Sequence, residues 1–179
     1  FSFEDSSAIN PENNNYQAVL DDMTSSGVVG VLMSVYHPQT GMWMGAGGKA
    51  DLFNDIDMQV CNITRVGSTV KMFTATIVLK LMEEGKLSLD DKISDYLDGN
   101  VINKIPNADI ATIRQLMQHS SGVYNYIQNL QFQTASINDF IREWQPEDLL
   151  DYAYGQEAYF APDEEVRYSN TGYILLGML

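Results

Sequence analysis

The chain has a single cysteine, Cys61, among its 179 residues, so no disulfide can form within it. A lone cysteine is expected to be a small buried thiol. Histidine is almost as scarce: His37 and His119 stand far apart, and two such residues are too few to suggest a zinc site. No metal and no cofactor are expected. Basic residues are also few, with 10 Lys and Arg against 24 Asp and Glu, giving a formal charge of −14. A surface of that sign repels nucleic acid and anionic lipid, which excludes both as partners. No apolar run approaches the roughly 20 residues of a membrane-spanning helix. The opening segment, FSFEDSSAINPENNN, has neither the basic start nor the apolar stretch of a leader peptide and is compatible with a mature end left by cleavage. A secreted, periplasmic or otherwise extracytoplasmic setting is the expectation.

Repeats, low-complexity tracts and linkers are missing too, while 45% hydrophobic and 11% aromatic content describes a globular chain. Residues 1–67 read as a helix followed by the first strands of a sheet. Pro11 suits a first helical turn, Tyr16, Val19, Leu20 and Met23 recur at helical spacing, and Gly27 ends the element. VVGVLMSVY and MWMGAGGKA, separated by HPQTG, predict two strands joined by a turn. A third extended piece is predicted at 59–66. Residues 68–179 read as mainly helical. Val70, Phe73, Ile77 and Leu81 form an apolar stripe closed by Gly85. Capping boxes predict helices at SLDDKISDYL (Ser88, Asp91), TIRQLMQ (Thr112, Gln115) and INDFIREW (Ser136, Asp139), while Pro146 opens EDLLDYAY and a last helix starts near Thr171. Two or three strands do not make a stable sheet by themselves, so further strands are expected from a C-terminal remainder of the same protein or from a second chain.

Chemistry concentrates in two places. Ser68 and Lys71 form an S-x-x-K pair at the start of the predicted helix, where positions three apart share a face. A serine hydroxyl needs a nearby base to act as a nucleophile, and a lysine partly withdrawn from water can take part in proton transfer. Free N–H groups at a helix start favour developing negative charge on the serine side. Tyr168-Ser169-Asn170 forms the second site. A tyrosine beside a lysine can shuttle a proton, and Asn170 can either hold Lys71 through its amide oxygen or donate to a substrate carbonyl. His119, at the end of a helix and before Gly122, reads as a structural cap. Asn62-Ile63-Thr64 fits a glycosylation sequon but falls in the predicted third strand and is taken as coincidence.

Taken together, VGSTVKMFTATIVLKLMEEGKLSLDDKISDYL, TIRQLMQHSSGVYNY and VRYSNTGYILLGML resemble the serine β-lactamase and D-alanyl-D-alanine carboxypeptidase superfamily, in the branch with S-x-x-K followed by Y-x-N. The resemblance implies an α/β (α+β) fold in which an antiparallel sheet flanked by helices adjoins an all-helical region. It implies an acyl-enzyme on Ser68, with Lys71 and Tyr168 sharing the acid and base roles and Asn170 binding substrate or orienting the lysine. The expected substrate is a small peptide, ester or β-lactam, with a D,D-carboxypeptidase or D-peptidase first and a class C-like β-lactamase or carboxylesterase as the alternative. A non-catalytic binding or scaffolding relative is the alternative of another class. Two departures stand out. The family's Lys/His-Thr/Ser-Gly triplet, which brings a second oxyanion donor, is not found in these residues, so residues 1–179 alone are expected to be inactive or nearly so. Pro162-Asp163 also replaces the usual Pro-Gly ahead of the second motif, a change expected to alter a turn only.

Overall fold

The structure, a computed structural model, describes residues 9–179; the first eight residues of the segment read above for a leader lie outside the described residues. The chain divides after Arg65 into two compact units.

In the first unit helix α1 (Asn13–Ser25) packs on a three-stranded antiparallel sheet of order β1-β2-β3, with β1 at Gly30–His37, β2 at Gly41–Asp51 and β3 at Ile56–Asp57. The hairpin register runs from Gly30 opposite Gly48 to His37 opposite Gly41, as the HPQTG turn predicts. Its core is Leu20 of α1 against Trp43 of β2, both fully buried, with the indole Nε1 donating to Asn13 Oδ1 at 2.9 Å. Gly45 makes this packing possible: a Cβ there would stand 2.3 Å from the Trp43 ring. Val19 and Met23 are 49% and 38% exposed, so the α1 stripe is narrower than its spacing predicts.

Three readings in this unit are corrected. The third strand is the short β3 rather than 59–66, because Asn62 turns the chain back: its N–H donates to Gln59 O at 2.9 Å and its Oδ1 accepts from Gln59 N at 2.6 Å. Cys61 on that turn is exposed, not buried. The Asn62-Ile63-Thr64 sequon therefore lies on an exposed irregular segment, with Ile63 fully exposed.

The second unit, Val66–Leu179, is helical: α2 (Val70–Glu83), α3 (Gly99–Ile102), α4 (Ile113–Gln118), α5 (Leu130–Asn138), α6 (Pro146–Leu150) and α7 (Asn170–Gly177). Its apolar core joins Val78 of α2, Ile113 and Leu116 of α4, Leu150 of α6 and Leu175 and Leu176 of α7. The face of α2 that enters it is not the predicted one: Val78 is buried, while Val70, Phe73 and Ile77 are 50%, 63% and 59% exposed. A helix that is apolar on both sides gives no single stripe to read.

The Thr112–Gln115 capping box forms in full, and Pro146 opens α6. SLDDKISDYL is not a helix. Asp91 does accept from Ser88 N, at 2.7 Å, but the chain then pairs with 111–113 through Ile93 N to Ala111 O and Ile113 N to Asp91 O, leaving one 3-10 turn at Ile93–Asp95. INDFIREW is not a helix either. Asn129 caps α5 by accepting from Gln131 N at 2.8 Å, so Ser136 falls inside the last turn of that helix, where its Oγ donates to Gln133 O. Among the described residues, no helix is long and apolar enough to cross a membrane.

Candidate active site

Ser68 sits in a 3-10 turn, Gly67–Thr69, that runs directly into α2. Its hydroxyl is not used as a helix cap: α2 has no side-chain cap hydrogen bond. Ser68 Oγ instead lies 2.7 Å from Tyr168 Oη and accepts from Lys71 Nζ at 3.2 Å. Lys71 Nζ also donates to Asn170 Oδ1 at 2.6 Å. The structure thus brings together all four residues singled out from the sequence. The packing that does so is apolar: α2 and α7 meet through the core, which sets the start of one helix beside the start of the other.

Asn170 is held from behind. Its N–H and its Nδ2 both donate to Asn125 Oδ1, each at 3.1 Å. This directs its amide oxygen at Lys71 and favours the lysine-holding alternative over donation to a substrate. Asn125 was not visible as a site residue, although it lies in the HSSGVYNY segment; the available signal was a polar side chain between two aromatic ones. Thr171, fully buried, accepts from Tyr126 N at 3.0 Å and fixes the same loop against α7.

Tyr168 is flanked by the cap of α4. His119 takes the left-handed conformation at φ 61°, closes α4, and lays its ring on Tyr168 with centroids 4.4 Å apart. His119 Nδ1 accepts from Ser169 N at 3.2 Å, and His119 O accepts from Arg167 N at 2.9 Å. The capping role read for His119 is present, and the residue also braces both sides of Tyr168. Burial, then the charge of Lys71, holds the imidazole below its usual value, which suits the acceptor role of Nδ1. Burial by itself would raise the Tyr168 phenol. Its interaction with Lys71 and its hydrogen bond with Ser68 outweigh that, and the phenol is held below its usual value of 10. Tyr168 is still 45% exposed, so an approaching carbonyl has access. Among the described residues no group of three or more His, Cys, Asp or Glu could hold a metal ion.

The chemistry this arrangement can supply is activation of a hydroxyl by a phenol–ammonium pair. Known proteins share the fold and part of the sequence. The chain is 31% identical to a D-stereospecific amidohydrolase from Streptomyces sp., with a TM-score of 0.80 over 94% of this chain and 48% of that one. It is 29% identical to the D-amino acid amidase of Ochrobactrum anthropi SV3, with a TM-score of 0.78 over 93% of this chain and 43% of that one. Protein flp of Staphylococcus aureus is 30% identical over 131 residues, which is 71% of this chain and 25% of that protein. The chain thus spans about a quarter of flp and less than half of either solved structure. These likenesses give the fold as the β-lactamase/transpeptidase type, and the sequence model of the Beta-lactamase family matches residues 16–179. A match over so much of the length, with solved neighbours of the same architecture, means that the chain belongs to the Beta-lactamase family.

Proposed function

We propose that the protein is a serine hydrolase that forms an acyl-enzyme on Ser68 and cleaves amide bonds next to D-configured residues, as a D,D-carboxypeptidase or D-peptidase. The observation that carries this reading is Ser68 Oγ held at 2.7 Å from Tyr168 Oη and 3.2 Å from Lys71 Nζ. The D-specific part rests on the two solved neighbours named for D-amino acid amidase and D-stereospecific amidohydrolase activity.

In the proposed reaction Ser68 Oγ attacks the substrate carbonyl carbon while its proton passes to Tyr168 Oη, the nearer partner. Lys71 keeps positive charge beside the phenolate, and Asn170 holds Lys71 in place. The proton then goes from Tyr168 to the leaving amine as the C–N bond breaks. Water, deprotonated by the same phenolate, attacks the ester carbonyl; as the bond to Ser68 Oγ breaks, Tyr168 returns that proton to the serine and the acid is released. The backbone N–H of Ser68 is one oxyanion donor; the triplet that brings a second in the wider superfamily is not among residues 1–179. Loss of one such donor costs roughly 100- to 1000-fold in rate, so these residues alone should be inactive or nearly so. The substrate is a small peptide, ester or lactam, the remaining strands come from elsewhere in the protein or from a second chain, and the setting is extracytoplasmic.

Turnover assays on the complete protein test the proposal, using D-amino acid amides, D-alanyl-D-alanine peptides, p-nitrophenyl esters and a chromogenic cephalosporin, each against Ser68→Ala. Release of amine from D- but not L-configured substrates, lost in Ser68→Ala, is the expected result. Rapid cephalosporin turnover with inert D-amides would make it a β-lactamase instead. Turnover of none of them would favour a non-catalytic relative.

A further inference from the structure

The residue that most departs from the family resemblance, Asp163, is bonded to the residue that follows His119, whose ring packs on Tyr168. Asp163 adopts the left-handed backbone, φ 66°, where glycine is at ease and a side chain is not. What the side chain contributes there is two hydrogen bonds. Its Oδ1 accepts from Ser120 Oγ at 2.8 Å and its Oδ2 from Gln115 Nε2 at 2.5 Å, while its own N–H donates to Ser120 O at 2.8 Å. The Gln115 amide cannot turn over to avoid this, because its Oε1 already accepts from Thr112 N in the capping box. Ser120 is buried, at 6% exposure, and follows His119, whose ring and backbone brace Tyr168. The segment between Asp163 and Tyr168 is therefore fixed at both ends to the last turn of α4.

We infer that Asp163 is a positioning residue: with Ser120 and Gln115 it clamps the segment before Tyr168 to the His119 turn and so sets the distance from Tyr168 Oη to Ser68 Oγ. The inference rests on the proposed role of Tyr168. Small displacements of a reacting group cost up to about 100-fold in rate, so a clamp of this kind should show in acylation rather than in folding.

The test is the rate of Ser68 labelling by a fluorophosphonate in the complete protein across pH, for the unsubstituted protein, Asp163→Gly, Asp163→Asn and Ser120→Ala. Glycine suits φ 66° but has no side chain, so Asp163→Gly should keep its melting temperature and label about 10- to 100-fold more slowly, with its pH profile displaced. Asparagine tolerates the left-handed region and retains one acceptor, so Asp163→Asn should restore the rate to within about threefold. Ser120→Ala leaves the backbone at 163 untouched and should label about 3- to 10-fold more slowly; it decides the matter should Asp163→Gly not fold. Labelling of Asp163→Gly and Ser120→Ala at the unsubstituted rate, with an unchanged pH profile, overturns this inference alone. Failure of the unsubstituted protein to label overturns the Ser68 reading along with it.

Discussion

Replacing Tyr168 with phenylalanine removes one oxygen and leaves the ring. The oxygen stands 2.7 Å from Ser68 Oγ, and the ring stacks on His119 at 4.4 Å. The two contributions can therefore be separated. Because Tyr168 is 45% exposed and its packing is retained, Tyr168→Phe should change stability by no more than about 0.5 kcal/mol, the range of ordinary surface substitutions. The effect on reaction should be far larger. A positioned acid–base group contributes roughly 100- to 10,000-fold, or about 2.7–5.4 kcal/mol at 1.36 kcal/mol per decade. The assay is the second-order rate of fluorophosphonate labelling beside a thermal melt of the same preparation. The unsubstituted rate should rise with pH as the phenol ionises, on a limb lying below the usual tyrosine value of 10 because the phenol is held down. Tyr168→Phe should lose that limb. A variant that labels within a few-fold of the unsubstituted rate and keeps the limb would remove Tyr168 from the mechanism.

Three further expectations concern the scaffold. Thr171→Val keeps the shape of a fully buried side chain but leaves Tyr126 N–H without its 3.0 Å acceptor, which should cost about 1–3 kcal/mol in urea unfolding. Gly122→Ala places a Cβ 2.0 Å from Phe160 O at φ 69°, and should destabilise by about 2 kcal/mol or more, read by the shift in urea midpoint. His119 is held below its ordinary value of 6.5, so the unfolded chain gains a proton before the folded one as pH falls. Its contribution is therefore full above about pH 6.5 and is lost as pH falls towards the folded value. Asp51, Asp55, Asp90 and Asp91 are all held below 3.8, outside that window, so melting temperatures at pH 7.5 and 5.5 should differ less in His119→Asn than in the unsubstituted protein.

The hairpin, the Thr112 box and the Pro146 start were legible because each rests on local chemistry, a turn or a cap. Ser68 and Lys71 share a helix face, but their grouping with Tyr168 and Asn170, about 100 positions on, came from the resemblance of the flanking segments to a known superfamily. What was not legible depended on partners distant in sequence. Ser136 and Asp139 have the spacing of a box, but Asn129 caps a helix earlier in the chain and absorbs the serine. SLDDKISDYL has half of the box, Asp91 accepting from Ser88 N, and loses the helix because its backbone finds 111–113. Phe73 and Ile77 make a sound helical stripe, yet Val78 on another face of α2 reaches the core. Asn125 went unread, and Asp163 was read as altering a turn only, for the same reason: their hydrogen-bond partners, Asn170 and Ser120, lie some 45 positions away.

The central claim is that Ser68 is the nucleophile, and it is tested most directly by the site of covalent attachment. The complete protein is incubated with a fluorophosphonate and with a fluorescent penicillin, its intact mass is read, and the modified peptide is sequenced by fragmentation. The account predicts one adduct, on Ser68, absent from Ser68→Ala. No adduct with either probe in folded protein, or an adduct that persists in Ser68→Ala, would contradict it.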